Sequence, residues 1–210
     1  MKTLVIASQK GGAGKTTLAG HLAVAAEAAG HGPVALVDLD PQGSLSAWWN
    51  ERQADTPALA AGTAEGLGTQ LAALDAAGFA LVIIDTPPAV SDTISRTLAH
   101  ADLVVIPTRP SPHDLRAVGS TVALVEAAAR RMVFALNGAA HRARITTEAA
   151  VALSQHGAVA SVTLHQRTDF ASSMTDGRTA QELDPASRSA VEVSQLWQYV
   201  HTQLRKNATA

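Results

Sequence analysis

The amino-acid sequence predicts one α/β domain over residues 1–210, built on a doubly wound, mostly parallel sheet flanked by helices. The chain length of 210 residues suits a single domain with a buried core. The composition is 47% hydrophobic and 16% charged, which excludes an intrinsically disordered chain. Short apolar runs alternate with longer helical patterns from end to end, and this alternation is typical of parallel α/β sheets.

Six short apolar runs are predicted to be strands. Most are continuous and rich in β-branched residues, as expected for strands that are buried on both faces of a parallel sheet. They lie at residues 3–7, 34–38, 81–85, 103–107, 132–137 and 159–163.

Helical patterns fill the intervals, and the clearest cover residues 15–29, 67–77, 115–131 and 147–155. The first of these helices is followed by Gly30-His31-Gly32-Pro33, a suitable C-cap and breaker.

Two other segments have distinct patterns. Residues 54–66 are rich in Ala, Gly and Thr and are predicted to form a surface excursion. A last helix carries Leu196, Val200 and Leu204 at a four-residue spacing, which favours docking on the core.

The composition also excludes several classes of site. The chain has no cysteine, so it holds no disulfide framework, thiolate zinc site, iron–sulfur cluster or cysteine nucleophile. No long apolar run or targeting signal is evident, and a cytoplasmic protein is expected.

The net charge of −2 divides unevenly, with −5 over residues 1–127 and +3 over residues 128–210. This asymmetry fits either a polyanion-facing surface in the second part or ordinary scatter of solvated charges.

A glycine-rich loop follows the first predicted strand. It reads Ser8-Gln9-Lys10-Gly11-Gly12-Ala13-Gly14-Lys15-Thr16-Thr17, and a helix comes next. Glycines let backbone N–H groups turn towards phosphate oxygens, and the helix N-terminus adds partial positive charge. Residues 11–17 are therefore predicted to bind a nucleotide, with Lys15 on the β- and γ-phosphates and the Thr16 hydroxyl on Mg²⁺.

Carboxylates end two of the predicted strands. They occur in Val37-Asp38-Leu39-Asp40-Pro41-Gln42-Gly43 and in Ile84-Asp85-Thr86-Pro87-Pro88. Ligands of open α/β sheets bind beyond the carboxyl ends of strands, where a carboxylate can hold Mg²⁺ or orient water. Taken singly, each of these aspartates could instead be a helix N-cap or a turn residue.

The glycine-rich loop departs from the common phosphate-loop pattern, since Gln9 stands where the first glycine falls and Lys10 precedes the glycines. This K-G-G-x-G-K-[ST] loop resembles the signature of the ParA/MinD family of ATPases. The resemblance implies the P-loop NTPase fold, ATP and Mg²⁺ as ligands, and a nucleotide-sandwich homodimer that forms on ATP binding. It also implies that Lys10 acts in trans, on the phosphates of the partner.

Both aspartate segments resemble further motifs of that family. By this resemblance Asp40 positions the hydrolytic water, Asp38 lies near the metal and Asp85 is the Mg²⁺-associated aspartate. Residues 86–89 resemble the second switch, and residues 106–114 resemble a proline-rich stretch near the nucleotide and the dimer face.

The second half of the chain carries weaker similarities to the same family. Asn137 stands where a base-contacting residue is expected, and segments 167–170, 177–178 and 182–185 resemble a C-terminal pattern that carries adenine contacts, here Pro185, and DNA-binding arginines. At any single position a solvated surface arginine is the alternative. The DNA-binding candidates are Arg167, Arg178, Arg188, Arg205 and Lys206, backed by Arg142 and Arg144.

The resemblance implies a ParA-type ATPase with slow, partner-stimulated, Mg²⁺-dependent hydrolysis. Its ATP dimer is expected to bind DNA nonspecifically at the nucleoid and, with a ParB-like adaptor protein, to position a plasmid, a chromosome region or a protein cluster.

Two alternatives remain. One is a biosynthetic P-loop enzyme that acts on a small molecule. The other is a MinD-like membrane-associated ATPase, which the thin basic face of the last helix (Arg205 and Lys206) disfavours. The lack of cysteine excludes the iron–sulfur reductases and metal carriers among the relatives.

Overall fold

A computed structural model describes residues 1–88 and 92–206 of the chain. Within these residues seven strands form one sheet of order β3-β2-β4-β1-β5-β6-β7, and every pairing in it is parallel. The chain order reverses beside β1, so the predicted doubly wound fold is confirmed. The strands are β1 Lys2–Ile6, β2 Val34–Asp38, β3 Ala58–Ala60, β4 Leu81–Asp85, β5 Leu103–Thr108, β6 Met132–Leu136 and β7 Ala158–Val159.

Helices connect these strands and cover both faces of the sheet. Those in the described part of the chain are α1 Lys15–Ala28, α2 Ser44–Asn50, α3 Leu67–Ala76, α4 Asp92–Leu98, α5 Pro112–Ala127, α6 Arg144–Ser154, α7 Thr168–Ser173, α8 Ala180–Leu183 and α9 Arg188–Arg205. A 3₁₀ turn, Met174–Asp176, follows α7.

Two apolar cores lie on opposite faces of the sheet. Successive β1 residues alternate between them, because neighbouring side chains of a strand point to opposite faces. Leu4 and Ile6 pack with α1, α2 and α9, whereas Val5 packs with α3, α4, α5 and α6. Burial on both sides explains why the central strands are continuous apolar runs.

Two strands differ from the sequence prediction. The strand predicted at residues 159–163 is the two-residue β7, because the chain leaves the ladder after Ala160 and bonds to β6 again only through Leu164 N and Leu136 O. The excursion predicted at residues 54–66 contains β3, an edge strand on β2. Three half-buried residues are too few to show a periodic pattern.

Helix α5 also differs from its prediction of residues 115–131. It begins at Pro112, after Ser111 Oγ accepts a hydrogen bond from the Asp114 backbone N–H as an N-cap. It ends at Ala127, shortly before Ala129 takes a left-handed φ of 52°. Helix α6 begins three residues before the predicted position of 147.

Helix α9 docks on the core as its spacing predicted. Leu196, Val200 and Leu204 are buried, together with Trp197, on the face that packs against α1. Among the helices described here, none has the length and apolar character needed to cross a membrane.

A buried histidine joins α1 to the C-terminal segments. His21 Nδ1 donates a hydrogen bond to the Thr17 carbonyl at 2.8 Å, and Nε2 accepts one from the Ala180 backbone N–H at 3.1 Å. Burial lowers the pKa of His21 to about 4. The ring is therefore neutral near pH 7, with its proton on Nδ1.

His21 should make folding stability depend on pH. The pKa of His21 is about 4 in the folded protein, against 6.5 for the ordinary group. Its contribution to the free energy of unfolding is therefore fully present above pH 6.5 and is lost as the pH falls towards 4. We expect the wild-type advantage over His21→Gln to shrink by about 2 kcal/mol between pH 7.5 and pH 5 in urea unfolding. The exposed His156→Gln is the control, and an advantage that does not change with pH would contradict the prediction.

Gly177 is required where two segments meet. It has a φ of 76°, and a Cβ there would overlap the backbone of Arg52. We expect Gly177→Ala to lower the free energy of unfolding by about 2 kcal/mol or more. Gly119 lies in α5 with open space around it, so Gly119→Ala should instead stabilise by about 0.5–1 kcal/mol. Equal effects of the two substitutions in the same urea titration would argue against this role for Gly177.

Candidate functional site

The glycine-rich loop connects β1 to α1 at the carboxyl edge of the sheet. Gly12 and Gly14 have positive φ values of 73° and 94°, and Gly14 is the N-cap residue of α1. A Cβ on Gly14 would overlap Nδ2 of Asn137, which donates a hydrogen bond to the Ala13 carbonyl at 2.8 Å. The backbone conformation that the glycines predicted is therefore present, and Asn137 secures it from the end of β6.

A cavity of about 930 Å³ opens over this loop. Most of the predicted nucleotide-binding residues line it, whereas Ala13 is buried behind them and Pro185 is exposed on the turn after α8, outside the cavity. The lining residues that had been singled out from the sequence are Gly11, Gly12, Gly14, Lys15, Thr16, Thr17, Asp40, Asn137 and Arg167.

Thr16 and Asp85 meet beneath the loop. The Thr16 hydroxyl donates a hydrogen bond to Asp85 Oδ2 at 2.6 Å, and Asp85 is wholly buried at the end of β4. Burial raises the pKa of Asp85 to about 7, although Thr16 and the charge of Lys15 act in the opposite direction. Oδ1 of Asp85 has no hydrogen-bond partner among the described residues. An unpartnered carboxylate oxygen beside a threonine hydroxyl fits a divalent cation.

The two lysines of the loop lie in different surroundings. Lys15 is 7% exposed, and burial lowers its pKa while the charges of Asp85 and Asp40 raise it. Its ammonium group is thus held among carboxylates at the cavity, where an incoming phosphate would gain a cation. Lys10 is exposed and does not line the cavity.

The two aspartates after β2 have different positions. Asp38 Oδ2 accepts hydrogen bonds from Ser46 N at 2.8 Å and Ser46 Oγ at 3.0 Å, while Oδ1 accepts one from Asp40 N at 3.1 Å. Both Asp38 oxygens therefore hold the loop and the first turn of α2, although the N-cap residue of that helix is Gly43 and not Asp38. Asp38 is not among the residues that line the cavity.

Asp40 faces the cavity. One of its oxygens accepts a hydrogen bond from Gln42 N at 3.0 Å. Within the part of the chain that the structure describes, the other oxygen has no hydrogen-bond partner, so it can hold a water molecule.

The segment predicted as a second switch is described only in part. The Thr86 hydroxyl donates a hydrogen bond to the Ile6 carbonyl at 2.9 Å, which ties the end of β4 to β1. Pro88 lines the cavity, and Ala89 lies outside the described residues. Arg109, from the predicted proline-rich stretch, lines the cavity as well.

One wall of the cavity was predicted only in part, because the segment 167–170 includes Phe170 but the other residues of the wall were missed. It is formed by His165, Gln166, Phe170 and Met174, and Glu192 of α9 supports it from behind. Glu192 accepts hydrogen bonds from His165 N and Nδ1 at 3.0 and 2.8 Å, and from Arg167 Nη1 at 2.6 Å. Burial raises the pKa of Glu192, but the bonds from Arg167 and His165 more than offset this and keep it below its usual value.

The predicted DNA-binding residues do not form one surface. Arg167 is inside the cavity, and exposed Arg178 pairs with Asp176 at 2.6 Å. Arg188 and Arg205 are the first and last residues of α9, which places them roughly 25 Å apart at 1.5 Å per residue. Arg205 lines a different cavity together with Lys2, at the amino ends of the strands, and Lys206 is the next residue.

Comparison with known proteins identifies relatives of the chain. Residues 4–180 match the CobQ/CobB/MinD/ParA nucleotide binding domain. The maintenance of carboxysome distribution protein A of Halothiobacillus neapolitanus is 28% identical over 92% of this chain and 94% of that protein. The protein of the same name from Gloeobacter kilaueensis is 41% identical, over 58% of this chain and only 55% of its own length.

Solved structures with the same fold include nucleotide complexes. An ATP complex of Cyanothece McdA superposes with a TM-score of 0.80 at 18% identity, covering 100% of this chain and 98% of that chain. The Mg-ADP complex of the septum site-determining protein MinD from Pyrococcus horikoshii gives a TM-score of 0.79 at 16% identity, with coverage of 100% and 99%. At these identities the likeness establishes the fold.

Asp85 should make unfolding depend on pH in the direction opposite to His21. Its pKa is about 7 when folded, against an ordinary 3.8, so stability falls as the pH rises through this window and stays low above it. We expect the free energy of unfolding of Asp85→Asn to rise by about 2–3 kcal/mol relative to that of the wild type between pH 5 and pH 8. Urea unfolding without nucleotide measures this difference. A difference between the two proteins that is constant across this range would contradict a buried, protonated Asp85.

Proposed function

The chain belongs to the CobQ/CobB/MinD/ParA nucleotide-binding family, and we propose that it is a ParA-type ATPase that dimerises around ATP, binds DNA nonspecifically and positions a cargo. One observation carries this proposal. Lys15 lines the cavity of its own chain and is buried, whereas Lys10 of the same loop is exposed and lies outside that cavity. A cation in that place can serve the phosphates of a second copy better than those of its own.

The cavity has the parts that phosphoryl transfer needs. Backbone N–H groups of residues 11–14 and the start of α1 would hold the phosphates, and Lys15 would neutralise their charge. Thr16 and Asp85 would hold Mg²⁺, which when bound neutralises charge on the β- and γ-phosphates. Asp40 would orient the attacking water through its free oxygen.

The cavity wall indicates how the base would be held. His165, Phe170 and Met174 provide a partly apolar surface beside Asn137, and Glu192 fixes the orientation of His165 and Arg167. Arg167 is thus better placed for the nucleotide than for DNA. We propose slow hydrolysis that an adaptor protein stimulates, so that ATP turnover times the separation of the dimer.

DNA is the proposed surface on which the dimer acts. Arg178, Arg188, Arg142 and Arg144 are exposed and can contact phosphates without reading bases. The proposed cargo class is supported by two relatives that are named for carboxysome distribution, of which this chain covers 94% and 55%. We therefore favour a large protein assembly as cargo over a plasmid or a chromosome region.

The two lysines should separate dimerisation from nucleotide binding. Lys10→Ala should still bind ATP, because Lys10 lies outside the cavity, but it should remain a monomer in ATP during size-exclusion chromatography with light scattering. Lys15→Ala is the matched control and should lose ATP affinity itself. A Lys10→Ala protein that dimerises like the wild type would contradict the proposal.

DNA retention should follow the dimer and the salt concentration. With ATP, a gel shift on unrelated DNA is expected for the wild type and not for Lys10→Ala, and binding should weaken by about 10³-fold or more between roughly 50 and 200 mM salt. DNA binding that does not depend on nucleotide or on salt concentration would count against DNA as the partner. Release of ADP stimulated by a small metabolite, with no effect of DNA, would favour the biosynthetic alternative.

A further inference from the structure

An ion pair between a buried arginine and a partly exposed glutamate joins the segment after α2 to the segment before α9. The side chain of Arg52 is 2% exposed, and its Nη2 lies 2.8 Å from Glu182 Oε1. Its Nη1 donates to Glu182 Oε2 at 3.1 Å and to the Gly177 carbonyl at 2.6 Å, and Nη2 also donates to the Thr56 carbonyl at 2.7 Å. The guanidinium group thus binds the carboxylate with two nitrogens, a geometry that lysine cannot reproduce.

Both partners of this pair are fixed by further contacts. The guanidinium carbon of Arg52 lies 4.9 Å from the centre of the Trp48 ring, and Trp48 Nε1 donates to the Arg178 carbonyl at 3.0 Å. Glu182 also accepts from Thr179 N and Oγ1 at 2.8 and 2.9 Å, as the acidic member of a capping box for α8. Burial raises the pKa of Glu182, but the bonds and charge of Arg52 hold it below its ordinary value.

The other end of α2 is attached to the proposed catalytic loop. Ser46 in the first turn of α2 donates twice to Asp38, and Asp38 accepts from the backbone N–H of Asp40. Helix α2 has seven residues, or about 10 Å, and helices this short depend on tertiary contacts for their stability. The position of the Asp40 backbone is therefore tied to how firmly the far end of α2 is held.

We propose that the Arg52–Glu182 pair is a positioning element for hydrolysis, which holds α2 so that the loop of Asp38 and Asp40 keeps its place against the cavity. This inference rests on the proposed ATPase function. Neither Arg52 nor Glu182 lines the cavity, so the pair acts through Asp40 and not on the nucleotide.

Arg52→Met is the variant that isolates this role. Methionine keeps the apolar stem against Trp48, and Glu182, whose side chain is 28% exposed, keeps its bonds to Thr179 and some contact with water. We expect the affinity for a fluorescent ATP analogue to stay within about threefold, while single-turnover ATP hydrolysis slows about tenfold or more, since small displacements of catalytic groups cost that much.

Two controls accompany it. Lys2→Met removes an ion pair with Asp102 at the start of β1, outside the cavity, and should leave both quantities unchanged. If Arg52→Met proves unfolded at the assay temperature, Glu182→Gln replaces it, because the glutamine can still accept the capping bonds from Thr179.

A double-mutant cycle with Asp40→Asn tests the route of the effect. If Arg52 acts through Asp40, adding Arg52→Met to Asp40→Asn should slow hydrolysis by less than about twofold. A purely structural role would instead multiply the two losses, or would lower affinity and rate together.

The outcomes separate this inference from the function on which it rests. Unchanged hydrolysis in Arg52→Met, a proportional loss of affinity and rate, or multiplicative losses in the cycle would overturn the inference and leave the ATPase proposal standing. A wild-type protein that hydrolyses no ATP in Mg²⁺ would overturn both.

Discussion

The burial of the Asp85 carboxylate at the end of the central strand β4 is the constraint on which the site depends. A carboxyl group with no access to water must either keep its proton or bind a cation. Among the described residues, the Thr16 hydroxyl and the charge of Lys15 favour the ionised form of Asp85. One of its oxygens has no partner in the described part of the chain. The ionised form of Asp85 is therefore unfavourable until a cation binds it, and the charge of Lys15 offsets only part of this cost.

Most of the sheet and its phosphate loop could be predicted from the sequence, because both depend on local patterns. Buried parallel strands are apolar runs, and the left-handed φ values of Gly12 and Gly14 need glycine wherever they occur. The prediction gave the wrong bounds for the strand at residues 159–163 and missed the strand within residues 54–66, because strands of two and three residues are held in place by pairing with β6 and β2. Strands this short carry no periodicity of their own.

The second half of the site lies beyond what local patterns can show. Glu192 is on α9 and orients His165 and Arg167 from 27 and 25 residues away, and no spacing rule joins such positions. Gly177 and Glu182 lie in segments that resemble a pattern of adenine and DNA contacts, yet in the structure Gly177 gives room to the Arg52 backbone and Glu182 caps α8. A side chain that only supports its neighbours looks the same in sequence as one that touches a ligand.

The packing of α9 against α1 has a consequence for how the protein is made. The apolar core around α1 is complete only when α9 (residues 188–205) packs against it. The wall of the nucleotide cavity also needs Glu192, which lies on α9. During synthesis the phosphate loop leaves the ribosome long before these residues do, and at about 5–20 residues per second the delay is roughly 10–40 s. Contacts of such high sequence separation form late in folding, so the nascent chain carries an incomplete cavity until α9 emerges. Glu192 can therefore fix His165 and Arg167 only after α9 has been synthesised.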